Sequence, residues 1–311
     1  MSTEATGSKI PAISQYQPHQ STSEVPEKGT KLSWGKRVLF FLLFFLCEIA
    51  ILILGSNYFE VFPTNKNLIY NLVITTIFLI AALSLKRIKA LNRYWRVAYV
   101  FFVASVAYPT TWITIGWVNS LMGRLALTTN TSQGLALGKL IEVILVAVPI
   151  IVLTKISGAD LGSIFLKRGN LKLGLGIGGL VFLNFATSAL MFFYTRFTSM
   201  ELLGAAIVWG LVFSFANGFM EELWLRGIFL KPFTPFIGAG GAIWLTAIVF
   251  AMLHGAAYYF MPTALPIFVL NTITLGLACG YLIIKSDSLW GAVLIHAAAD
   301  LFLFISTLSN V

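Results

Sequence analysis

Charge is scarce in this sequence: only 11% of its 311 residues are Asp, Glu, Lys or Arg, against roughly a quarter in ordinary soluble domains. Cysteine is scarcer, with two copies. Cys47 and Cys279 both lie in apolar runs, where a thiol behaves as a small hydrophobe, so they supply neither a disulfide framework nor a cysteine-based metal site. Histidine occurs three times, at His19, His254 and His296. What fills the chain instead is 58% hydrophobic residues, with a mean hydropathy of +0.87. That balance excludes a soluble globular protein.

Apolar runs of about 18 residues or more suffice to cross a hydrocarbon core about 30 Å thick. Such runs recur at about 38–55, 68–85, 97–121, 136–153, 173–194, 205–230, 241–258, 264–284 and 289–308. They predict an all-α, polytopic membrane helix bundle of about eight to nine transmembrane helices. Residues 1–35 are polar and lack aliphatic periodicity, so they cannot bury enough surface to offset ordering entropy and read as a disordered tail. The tail is too long and too polar for the n-region of a cleaved signal peptide. Residues 36–155 read as N-terminal transmembrane helices without an assigned role, and residues 156–311 as the part that carries chemistry.

The net charge of +9 does not call for a nucleic acid, because basic excess in a membrane protein collects in loops held at the cytoplasmic surface. Lys and Arg are dense in the tail, from Lys86 to Arg96 and from Lys155 to Lys172, and sparse in the intervening connections at Lys66 and Arg196. The alternation predicts a cytoplasmic N-terminus and an outside C-terminus. Glycines 174, 176 and 179 spell GxGxxG, but inside a span with no preceding strand they serve close helix approach rather than a dinucleotide. Gly276 and Gly280 make a GxxxG of the same use.

Ionisable groups inside a bilayer are costly, so their placement is informative. Glu221, Glu222 and Arg226 lie in the sixth run, His254 in the seventh, and His296 with Asp300 in the ninth. Glu222 and Arg226 are i,i+4 neighbours with the acid N-terminal, the favourable order for an ion pair. His296 and Asp300 share one face of their helix by the same spacing. At about 1.5 Å per residue, Glu221 lies roughly 16 Å from the helix end near Pro232, His254 roughly 20 Å from Gly241, and His296 and Asp300 roughly 10 to 17 Å from Leu289. Three helices can therefore bring these groups into one polar pocket. The isolated acids Glu48 and Glu142 read as packing residues or local ion-pair partners, the latter of Lys139.

EELWLR (Glu221 to Arg226), FAMLH (Phe250 to His254) and HAAAD (His296 to Asp300) resemble the EExxxR, FxxxH and HxxxN/D motifs of the CPBP family. These are intramembrane CAAX-processing and bacteriocin-processing proteases, also called the Abi family, and include type II CAAX prenyl proteases. The likeness spans about residues 160–308 and includes SLWGAVLIH (Ser288 to His296). It implies an intramembrane endopeptidase of a bacterial plasma membrane, acting on a membrane-anchored or lipidated peptide or protein. By that likeness Glu221 is the general base for a water, His254 helps to hold the water, and Glu222 with Arg226 supports the site. His296 and Asp300 then stabilise the oxyanion, or with His254 ligate a metal such as zinc.

Where many members carry Asn this chain has Asp300, and an ionised carboxylate only accepts hydrogen bonds. No HExxH is present, so cofactor dependence stays open. Two other classes also stay open on the sequence: a proton-coupled transporter, since acid and histidine relays inside spans move protons, and a non-catalytic bacteriocin-immunity or scaffold protein that keeps the pocket for binding.

Overall fold

The computed structural model describes residues 32–128, 131–257 and 265–308. Most of the segment expected to be a disordered tail, residues 1–31, lies outside the described residues. Among the described residues, nine helices are long and apolar enough to cross a membrane. They are α1 (Trp34–Ser56), α2 (Lys66–Arg87), α3 (Lys89–Arg124), α4 (Ser132–Ile156), α5 (Leu171–Arg196), α6 (Met200–Gly227), α7 (Leu230–Ala257), α8 (Leu265–Ser286) and α9 (Trp290–Leu308). The protein is an all-α polytopic bundle, as the apolar runs predict. Three helix starts are capped by side chains: Thr131 accepts from the Gly134 amide, Asn170 from Leu173 and Ser199 from Leu202, each at 3.1 Å. These caps satisfy first-turn N–H groups that have no partner within their helix.

Helix α9 is the most buried span and packs on α5, α6 and α8, while α7 packs along α8. Its approach to α5 runs through Gly291, whose backbone lies against Gly174 and Gly178; a Cβ on Gly178 would sit 2.5 Å from the Gly291 carbonyl oxygen. Gly218 does the same for α6, with Val293 and Ala297 backbone atoms 3.1 Å from where its Cβ would be. Small residues therefore set the contact, as expected inside a bilayer, but of the GxGxxG glycines only Gly174 takes part. Gly176 and Gly179 face open space, and Gly178 is the tighter contact.

Three departures from regular helix were invisible in the apolar pattern. Ile49–Ile53 of α1 and Leu223–Gly227 of α6 are π-helical turns, and α7 is broken at Gly238, whose φ of 79° is the left-handed region open to glycine. The long segment of the seventh helix therefore starts just past Gly238, close to the expected residue 241, and a short helical segment from Leu230 precedes it.

Loops at one end of the bundle are tied together: the Asn170 amide donates to Ser286, the Leu289 amide to Phe165, and the Ser288 hydroxyl to Lys167. Asp287 pairs there with Lys167 and Lys231. Burial pushes the Asp287 carboxyl up, but the two ammonium groups outweigh it and hold the carboxyl below its usual value. Most described Lys and Arg lie at helix ends or loops on this side of the bundle, and the opposite side carries Lys66, Arg124 and Arg196 at helix ends.

Candidate active site

The C-terminal turn of α6 carries three of the predicted residues, and its irregularity is anchored from outside. The Ile228 amide reaches back to Leu223 across the π turn, and the Trp224 indole donates to the Ala104 carbonyl at 3.0 Å. Glu222 and Arg226 are both fully buried and form an ion pair at 2.5 Å. The guanidinium also lies over the Phe250 ring, 4.2 Å from its centroid, so the aromatic face takes part of the charge. Glu222 Oε1 has a second ligand, accepting from His296 Nδ1 at 2.7 Å. The pair expected on α6 is thus the first two members of a chain, Arg226 to Glu222 to His296, and the carboxylate fixes which imidazole nitrogen faces away.

Glu221, one residue earlier, points elsewhere. Its Oε2 lies 3.6 Å from His254 Nε2 and 3.5 Å from His296 Nε2 and has no hydrogen-bond partner among the described residues. His254 donates from Nδ1 to the Phe250 carbonyl at 3.0 Å, one helical turn back, which leaves Nε2 facing Glu221. Asp300 Oδ2 is 3.8 Å from His296 Nε2. All six residues singled out in the sequence therefore meet in one cluster from α6, α7 and α9. Glu221, His254 and Asp300 keep side-chain exposures of 15%, 22% and 14%, whereas Glu222, Arg226 and His296 are sealed. The cluster has a partly exposed layer, in which Glu221 Oε2 itself is buried, and a sealed support behind it.

Sequence reasoning missed Asn217, whose side-chain amide donates to Asp300 Oδ2 at 3.0 Å. Its signal was available: Asn217 precedes Glu221 by four residues and so shares its helix face. His296 is oriented by Glu222, 74 residues away in the chain, rather than by its own-helix neighbour Asp300. Glu142 pairs with Lys139 at 2.6 Å, as the spacing suggested. Glu48 takes the packing alternative rather than the ion pair: it is 1% exposed, and both its carboxylate oxygens lack a hydrogen-bond partner among the described residues.

Among the described residues no group of three or more His, Cys, Asp or Glu is arranged to hold a metal ion, and the metal alternative with His254, His296 and Asp300 stays an alternative. The carboxylate oxygen set between the two imidazoles belongs to Glu221.

Residues 203–302 match the family model described as type II CAAX prenyl endopeptidase Rce1-like. That stretch runs from α6 into α9 and contains all six clustered residues. No curated protein and no solved structure matches the chain. Residues 203–302, which carry three motifs in order on three packed helices, are thus similar to the type II CAAX prenyl endopeptidase family, consistent with a CPBP/CAAX protease family.

Proposed function

We propose that the protein is an intramembrane endopeptidase in which Glu221 activates a water for attack on a peptide carbonyl of a membrane-anchored or lipidated substrate. The observation that carries the reading is the unpartnered Glu221 Oε2, set 3.5 to 3.6 Å from two imidazole Nε2 atoms. Polar contacts at that separation suit a bridging water, which needs two to four polar partners. His254, with its Nδ1 proton held on Phe250, accepts a hydrogen bond at Nε2 from one O–H of the water, which keeps that hydrogen, while Glu221 takes the proton of the other. The water oxygen bonds to the carbonyl carbon. His296, with Nδ1–H held on Glu222, donates from Nε2 to the developing oxyanion when it carries both protons. Collapse breaks the C–N bond, and Glu221 returns its proton to the leaving amine.

The end of the bundle that gathers Lys and Arg faces the cytoplasm in this reading, by the positive-inside rule. The test is incubation of purified protein with quenched lipidated and unlipidated peptides, with mass mapping of the products. Cleavage at one bond, abolished in Glu221→Gln, is expected. Turnover retained by Glu221→Gln would overturn the mechanism, and substrate-gated proton flux in liposomes without cleavage would replace it with transport.

A further inference from the structure

A cavity of about 980 Å³ opens at the basic end of the bundle, between the starts of α1, α3 and α7 and the end of α4. None of the six clustered residues lines it. Its walls carry Lys36, Arg37, Arg93, Arg96 and Lys231 and no Asp or Glu. Lys231 is engaged by Gly162 and Asp287. The other four take no part in any ion pair among the described residues. Arg93 and Arg96 are exposed and rest on the rings of Tyr94 and Trp95, which hold their side chains without neutralising them.

The cavity changes character with depth. The cations sit at helix starts, and α3 leads inward from Arg96 to Val100 and the buried Val103, about 10 Å along the axis. There the wall is Phe40, Val103, Ile164 and Ile228. A site for free phosphate has no use for an apolar floor, and a site for an apolar chain has no use for four uncompensated cations. Both are used by one molecule with an anionic head and a hydrocarbon tail. Guanidinium groups suit phosphate oxygens, and basic pockets between transmembrane helices are where anionic head groups bind.

We infer that this cavity is a binding site for one anionic phospholipid, its phosphate held by Arg93, Arg96, Lys36 and Arg37 and an acyl chain lying against Val100 and Val103. The site is separate from the Glu221 cluster, so it stands or falls independently of the proposed peptidase activity.

The test reconstitutes the full chain in nanodiscs of phosphatidylglycerol and phosphatidylcholine at equal amounts and counts co-purifying lipids by native mass spectrometry. One retained phosphatidylglycerol per chain is expected. The R93Q/R96Q double variant should need at least tenfold more phosphatidylglycerol for the same occupancy, with its thermal midpoint unchanged because both residues are exposed. Lys285→Gln, at the same end but outside the cavity, should bind as wild type. Val100→Trp, which fills the apolar depth and leaves every cation, should also lose the lipid. Equal retention of the two lipids, or unchanged retention in R93Q/R96Q, would overturn the inference. Displacement of the lipid by millimolar inorganic phosphate, with Val100→Trp binding normally, would reassign the cavity to a free anion.

Discussion

Glu221 and Glu222 are adjacent and chemically identical, yet the structure predicts opposite consequences for the same substitution. Glu222 is fully buried, with Arg226 at 2.5 Å and His296 Nδ1 at 2.7 Å. Gln at this position leaves the guanidinium without its counter-ion where water cannot replace it, and breaking one side of a buried pair costs about 3–5 kcal/mol. At roughly 2–4 °C per kcal/mol for a chain near this size, the thermal midpoint should fall by on the order of 10 °C. Phe250 beneath the guanidinium offsets only part of that loss. Glu221 makes no side-chain hydrogen bond among the described residues, and its Oε2 is orphaned. Glu221→Gln therefore removes function without support, and its midpoint should stay within about 2 °C of wild type or rise. The assay is tryptophan-fluorescence melting of both variants in one detergent, alongside peptide cleavage. A Glu222→Gln midpoint equal to wild type, or a Glu221→Gln midpoint that falls as far, would refute the division into reacting and supporting acids.

Asp300→Asn keeps an acceptor for Asn217 and adds a neutral donor toward His296, so turnover should persist within about tenfold. Inactivity reversed by excess zinc would instead favour the metal reading. Gly178→Ala forces a methyl against the Gly291 carbonyl and should cost at least about 1–3 kcal/mol. Gly176→Ala, facing open space, should melt as wild type or slightly higher, and equal midpoints for the two would contradict the α5–α9 contact. Asp287 has a depressed carboxyl, so its contribution is present above the usual value near 3.8 and is lost as pH falls through the lower folded value. Hydrogen exchange in residues 157–170 should therefore quicken on acidification below that value. Asp287→Asn, which tolerates the φ of 50°, should lack the step, whose size stays below about 1 kcal/mol because the pair is half exposed.

The span count and the membership of the site were legible because both follow from cost. A bilayer forbids long polar stretches, so the nine spans among the described residues read directly from hydropathy, and six of the few ionisable groups inside them converge, while Glu48 and Glu142 do not. What stayed hidden was geometry that leaves composition unchanged. A π turn at Leu223–Gly227 has the same residues as an α turn. The bond from His296 to Glu222 joins two helices that meet at Gly218, packed against Val293 and Ala297, and periodicity within either helix does not report it.

The bond between Glu222 and His296 also bears on how the protein is made. α6 reaches the membrane carrying Glu221, Glu222 and Arg226, and the histidine that completes their network follows 74 residues later. Until α7 brings Phe250 and His254, the α6 carboxylates and guanidinium have only each other, and Glu222 gains its second partner only with α9. An insertion machinery that released helices one at a time would leave this span half-satisfied in lipid. The network is completed only once the chain includes α9, so no shorter nascent chain carries all six clustered residues.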